Sequence, residues 1–245
     1  MDAVTVARSM RGSIGMLAMS WLITSTTQEK ATKAGMPEGS GAYAIGRLGV
    51  LGDCPVDNVV AAAYFWHPDT MRSAVLAGRA VMSPQDGAAI YARICQEWGV
   101  AHLSDFDGID RLGELCERVV TAASPLGAPT FVGWRDQDLP DAGAGRSFQL
   151  LQTMRELRFG RHAVAVQASG MGPLEAILSG PAGEWNAEFF GWPKPYPDVA
   201  DLSDRRNAIE ATTDQLHAAD FEVLDDTERA ELRGLAKAAR AHTGT

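Results

Sequence analysis

Residues 148–168, Phe148-Gln-Leu-Leu-Gln-Thr-Met-Arg-Glu-Leu-Arg-Phe-Gly-Arg-His-Ala-Val-Ala-Val-Gln-Ala168, decide the fold. At about 3.6 residues per turn, Leu150, Met154, Leu157 and Val164 share one face, while Leu151, Arg155, Arg158 and His162 line up about 100° away. The segment reads as one long helix, from about residue 145 to 169, with an apolar seam beside a cationic row. Gly160 interrupts the pattern and is expected to be tolerated or to bend the helix slightly. Cationic and titratable groups on neighbouring turns beside a buried seam suit the wall of an anion-binding pocket. The solvent edge of an ordinary amphipathic helix has the same pattern.

The helical period extends outward from this segment. Helices are expected over residues 4–24, 27–34 (capped by Thr26 or Thr27), 41–48 and 55–65. Ser83-Pro84-Gln85-Asp86 combines a capping hydroxyl, a first-turn proline and an acid near the positive end of the dipole, and starts a helix running to about Trp98. Another begins near Ser104 and carries Ile109, Leu112, Leu115, Cys116 and Val119 at core spacing. Ser203 and Asp225-x-x-Glu228 start two terminal helices. The only β-favourable runs, residues 130–133 and 164–166, lie inside helical patterns, so the chain reads as an all-α multi-helix bundle. Residues 181–201 break the period: Pro181, Pro193, Pro195 and Pro197 interleave with Trp185, Phe189, Phe190, Trp192 and Tyr196. No single helix fits such a stretch, which reads as a strap across the core or a lid over a pocket. The expected organisation is a helical-bundle domain over 1–180, the strap over 181–201, and C-terminal helices over 202–245 packing on the bundle.

A chain of 245 residues, 46% apolar and 22% charged, can bury a sizeable core. Its net charge of -9 and pI near 5.0 oppose nonspecific affinity for nucleic acid or an anionic membrane, so basic residues must act locally. Eighteen of the 22 basic residues are arginine, whose planar fork suits carboxylates and other oxyanions. Cys54, Cys95 and Cys116 are odd in number and lack C-x-x-C spacing, which argues against a disulfide framework or a structural zinc and fits a reducing cytoplasm. Residues 15–23 form a short apolar run after Arg8 and Arg11, but it has no small-x-small cleavage site and is too short to span a bilayer. His67, His102, His162, His217 and His242 show no metal-ligand spacing, and no G-x-S-x-G elbow is present. Neither Gly39-Ser-Gly41 nor Gly143-Ala-Gly145-Arg146-Ser147 matches a phosphate-binding loop. Neither a metal nor another cofactor is expected.

Tyr43 and Arg47 stand four apart on an otherwise apolar helix, so Arg47 should sit near the core and need an anion, for which Asp53 or Asp57 is within sequence reach. Asp136 and Asp138 follow Trp134 in a loop, where an acid caps a turn or, beside an arginine-lined cavity, acts as a general base.

Several of these stretches together resemble an actinobacterial family labelled SalK-like or helix-turn-helix-containing. The matching residues are Tyr43-Ala-Ile-Gly46-Arg47-Leu-Gly-Val-Leu51-Gly52, Val59-Val-Ala-Ala-Ala-Tyr64-Phe-Trp-His67-Pro68, Leu151-Gln-Thr-Met-Arg155-Glu156-Leu-Arg158-Phe-Gly160-Arg-His162, Gly172-Pro-Leu-Glu175-Ala, Gly191-Trp192, and Leu202-Ser203 through Leu216. The label implies a winged-helix segment after the Gly-Trp pair. Here only about ten residues separate Trp192 from Leu202, three of them proline, too few and too rigid for a recognition helix. Residues 197–245 hold 11 Asp or Glu against 6 Lys or Arg, the wrong sign for DNA contact.

Two functions follow as expectations. One is a cofactor-independent enzyme of secondary metabolism that grips a small anionic metabolite with Arg47, Arg155, Arg158, His162 and Tyr43, while Asp136, or failing it Glu156, deprotonates an attacking amine. Intramolecular displacement of a sulfate or phosphate would then close a ring, as in aziridine-forming synthases of azabicycle pathways, the branch that the chain resembles. The other is a ligand-sensing transcriptional regulator or a noncatalytic binding protein using the same cationic wall. A homodimer, or a heterodimer with a related subunit, would cover apolar area left by the strap.

Overall fold

The computed structural model describes residues 1–244; Thr245, the last residue of the expected C-terminal segment, lies outside them. The chain is helical from end to end, and no strand occurs among the described residues. The helices are α1 (Ala3–Met10), α2 (Met16–Met19), α3 (Ser25–Lys33), α4 (Ser40–Arg47), α5 (Val56–Ala63), α6 (Pro68–Arg79), α7 (Pro84–Leu103), α8 (Ile109–Ala122), α9 (Pro129–Arg135), α10 (Gly143–Ala168), α11 (Pro173–Leu178), α12 (Gly183–Phe189), α13 (Ser203–Ala218) and α14 (Asp226–Thr243). A π-helical turn, Arg11–Gly15, joins α1 to α2 and keeps them one continuous rod.

Local chemistry sets most of the ends. The Ser83 hydroxyl accepts from the Asp86 amide at the start of α7, and Asp225 and Glu228 form a reciprocal capping box at α14. Thr24, not Thr26 or Thr27, caps α3. The helix expected near Ser104 begins at Ile109, and residues 68–79, where no helix was expected, form α6 behind the first-turn Pro68.

α10 is the axle, with α7, α8, α9 and α13 packed around it and α14 closing over α1 and α8. It is therefore enclosed rather than half-exposed as its sequence pattern suggests. Leu150, Leu151, Met154 and Leu157 are all buried, and so are Gln149, Gln152, Thr153 and Glu156, while Val164 is exposed. The helix runs unbroken through Gly160, where a Cβ would come within 2.5 Å of the Ala128 methyl. Absence of a side chain there lets the start of α9 approach. Likewise a Cβ on Gly46 would stand 2.6 Å from the Tyr91 ring, so α4 nests against α7 only because that position is bare.

Residues 181–201 contain the short helix α12 and then cross the α5–α6 junction. The Trp192 indole donates to the Phe65 carbonyl at 2.8 Å, and the His67 amide to the Phe190 carbonyl at 2.9 Å. These bonds pin the strap onto the junction that carries Tyr64, Phe65 and Trp66.

Close α7–α10 packing makes a direct prediction. Gly99→Ala would push a methyl to 2.5 Å from the Phe148 Cβ and should destabilise the fold by about 1–3 kcal/mol. Gly234→Ala, in open space on α14, should instead stabilise by about 1 kcal/mol. Urea unfolding of the two variants measures both signs.

Candidate functional site

The last turn of α4 drives Arg47 into the core, 1% exposed, and its partner is neither Asp53 nor Asp57 but Glu156 of α10. Nε and Nη2 of Arg47 donate to Glu156 Oε1 and Oε2 at 2.8 and 2.7 Å, a bidentate pair, while Nη1 donates to the Tyr43 hydroxyl at 2.8 Å. Asp53 and Asp57 stay on the surface, facing Arg79 and Arg72 of α6. Glu156 also accepts from Gln152 Nε2 and from Arg155 Nη1, each at 2.8 Å. Burial alone would raise the Glu156 carboxyl, but the charges of Arg47 and Arg155 outweigh it and hold Glu156 below its ordinary value. Burial pulls Arg47 down, yet Glu156 and Tyr43 carry it above the usual arginine range. Arg155, sharing the same carboxylate, is left below that range by its own burial.

One helical turn on, Arg158 Nη2 donates to Glu210 of α13 at 2.9 Å, and the buried Arg158 Nε has no partner among the described residues. His162 Nδ1 lies 2.9 Å from the Thr213 hydroxyl, which itself donates to the Ile209 carbonyl at 2.8 Å. With the hydroxyl proton committed, Nδ1 must carry the imidazole hydrogen, leaving Nε2 as a lone-pair acceptor. Phe65 stacks on the His162 ring with centroids 5.7 Å apart. Burial, only partly opposed by Glu210, lowers His162 to about 4, so it is neutral at physiological pH.

Arg155, Arg158 and His162 all line a cavity of about 190 Å³ between α10 and the α1–α2 rod. The opposite wall supplies Arg11, Ile14 and the methionines Met10, Met16 and Met19, and His217 of α13 adds a second imidazole. Among the described residues no carboxylate lines it. Around it, seven guanidinium groups face four carboxylates: Arg47 and Arg155 share Glu156, Arg11, Arg158 and Arg206 share Glu210, Arg8 and Arg158 face Asp214, and Arg161 pairs with Asp220, which also contacts His217.

The geometry divides the residues singled out from the sequence. Arg155, Arg158 and His162 converge on the cavity. Arg47 stands behind them, its guanidinium 4.7 Å over the Phe159 ring, and Tyr43 lines a different cavity. Asp136 is on the surface, its side chain 68% exposed and 4.0 Å from Arg135, and is not part of the cavity wall. Arg11, His217 and the methionines were missed. The only signal for Arg11 was its place after Arg8 ahead of the apolar run, which does not reveal what the helix packs against. Among the described residues no group of three His, Cys, Asp or Glu side chains is placed to hold a metal ion, and no helix is long and apolar enough to cross a membrane.

A sequence model of a family described as a helix-turn-helix family matches residues 7–244. No curated protein and no solved structure matches the chain.

Two measurements probe this cluster. Glu156→Gln strands two buried guanidiniums and should cost about 3–5 kcal/mol in urea unfolding. Unfolded histidine titrates near 6.5 and folded His162 at about 4, so in that window the unfolded chain binds more protons and stability falls as pH falls. His162→Gln should flatten the slope of unfolding free energy against pH between about 6.5 and 4. Buried His217, also lowered, contributes in the same direction and leaves a residual slope.

Proposed function

The chain belongs to the helix-turn-helix family, and from that premise we propose that it is a small-molecule-binding member of it, taking a small anionic metabolite in the Arg155–Arg158–His162 cavity. The carrying observation is the excess of guanidinium over carboxylate, seven to four, around a cavity with no acid among the described residues of its wall, inside a chain of net charge -9. An anion entering there completes a charge balance that the protein leaves open, and Arg158 Nε offers it a buried donor. A volume of 190 Å³ lies below the roughly 300–1,000 Å³ of drug-sized sites, which favours a compact ligand. The methionine wall adapts to an apolar portion beside the charged one. This reading suits a ligand sensor in the cytoplasm as well as a carrier. The acidic balance of residues 197–245 speaks against that segment as a DNA-reading surface.

One observation favours an additional chemical step. Neutral His162, with Nε2 free, sits beside two guanidiniums and could accept a proton, a role better suited to it than to Asp136 or to Glu156, whose oxygens are taken up by arginine and glutamine. In a ligand carrying both an amine and a sulfate or phosphate ester, the nitrogen lone pair would attack the ester-bearing carbon. The C–O bond would break toward the anion held by Arg155 and Arg158, and His162 would take the proton released from nitrogen. This is the cofactor-independent ring closure implied by the resemblance to aziridine-forming synthases.

Calorimetric titration with phosphate and sulfate tests the binding reading: wild type should bind, and Arg158→Gln and Arg155→Gln should each lose about ten-fold or more. Equal, nonsaturating heats in all three proteins would refute it. For the chemical step, 2-aminoethyl hydrogen sulfate is the simplest probe. Sulfate release by wild type but not by His162→Gln, with anion binding retained, is the expected result; no release above the protein-free blank would leave binding alone.

A further inference from the structure

A second cavity, of about 400 Å³, opens where α3, α4, α6 and α12 meet, and nothing in the anion site uses it. Its walls include four aromatic rings, Tyr43, Trp66, Tyr91 and Phe189. Trp66 is the centre of this group, with ring centroids 5.3 Å from Tyr43 and 5.5 Å from Phe189. Trp66 is 6% exposed, yet its indole N–H, which can only donate, has no partner among the described residues. Two other buried indoles are satisfied: Trp21 donates to Gln152 and Trp134 to the Arg47 carbonyl. Tyr43 is the second donor. Its oxygen accepts from Arg47 at 2.8 Å, which leaves the phenolic proton available, whereas Tyr91 already donates to the Leu22 carbonyl at 2.6 Å.

These features constrain an occupant. Flat π walls take a flat ring through offset or edge contacts. An indole donor without a partner among the described residues, with a phenolic proton beside it, favours an occupant that carries the acceptor. Glu188, exposed, is the only carboxylate in the lining among the described residues and disfavours an anion, while a cation would leave both donors unmet. The volume falls within the usual range for small-molecule sites. We infer that this cavity binds a neutral, planar aromatic molecule whose carbonyl-type oxygen accepts the Trp66 indole N–H, a ligand of different class from the anion taken up beside α10. α12 and the strap supply Glu188, Phe189 and Gly191 to the cavity, which gives that segment a binding role as well as a covering one.

Coumarin, a neutral bicyclic lactone, is the probe, and naphthalene, of similar shape without the oxygen acceptor, is the control. In proton–nitrogen correlation spectra the Trp66 indole resonance, identified by its loss in Trp66→Phe, should shift saturably with coumarin. Trp66→Phe keeps a ring in place and should weaken coumarin binding about ten-fold, measured by calorimetry, while naphthalene binds the wild type more weakly than coumarin does. Arg158→Gln should bind coumarin as wild type does, so failure of the anion reading would not imitate failure here. A Trp66 indole signal unmoved by coumarin, or equal coumarin affinity in wild type and Trp66→Phe, would overturn the assignment.

Discussion

Everything in this bundle is arranged around an ion pair kept out of water. Taking a guanidinium and a carboxylate into the interior costs several kcal/mol per ion, and the cost is offset only when every donor and acceptor is met. Arg47 and Glu156 meet that condition atom by atom through a two-point contact: each guanidinium nitrogen has a partner, Tyr43 taking Nη1, and Gln152 and Arg155 also donate to Glu156 Oε1. Such a contact tolerates little sliding. It ties the end of α4 to the middle of α10, and the Trp134 bond to the Arg47 carbonyl at 3.1 Å ties α9 to the same point. Because Glu156 must also serve Arg155, one positive charge is left over, and it faces the cavity.

Net charge therefore says little about what this protein attracts. Across the chain acids outnumber bases, 31 to 22, yet beside the α1–α2 rod the ratio is reversed. In a partly dry pocket, charges a few ångströms away act with less screening than those scattered over the exterior. The neutral state of His162 reflects the same enclosure: burial lowers it, and Arg158, Arg206 and Arg11 add to the effect against a single opposing Glu210.

How much of this could be read from residues alone depended on distance along the chain. The all-α class, the starts at Ser83 and Asp225, and the Tyr43–Arg47 contact all depend on spacings of three or four residues, which helical geometry fixes locally. The same periodicity placed Arg155, Arg158 and His162 on one wall. It did not identify Glu156 as the anion for Arg47, since those residues are 109 positions apart and nearer acids were available. Nor could it show that α10 is surrounded. Gln149, Gln152 and Glu156 have the composition of a solvent face, and only the packing of α7, α8 and α9 turns that polar row into an interior network. Arg11 and His217 reach the cavity from elements remote in sequence, so no local pattern marks them.

The π-helical turn at Arg11–Gly15 gives the N-terminal rod an unusual property. Such a turn accommodates one residue more than the α-helix around it, and it offsets the faces of the segments on either side by roughly 100°. Met10 before the turn and Met16 and Met19 after it line one cavity, and the offset brings Met19 to within about 80° of Met10 where a regular helix would set them on opposite sides. Loss of one residue from the turn would restore a regular helix and keep the flanking faces in register, whereas regular α-helix over the unshortened segment would rotate Met16 and Met19 by roughly 100° relative to Met10. The methionine wall is thus set by backbone winding as well as by side-chain identity: the turn takes up the extra residue, so a one-residue change of length there leaves the register of the rod largely intact.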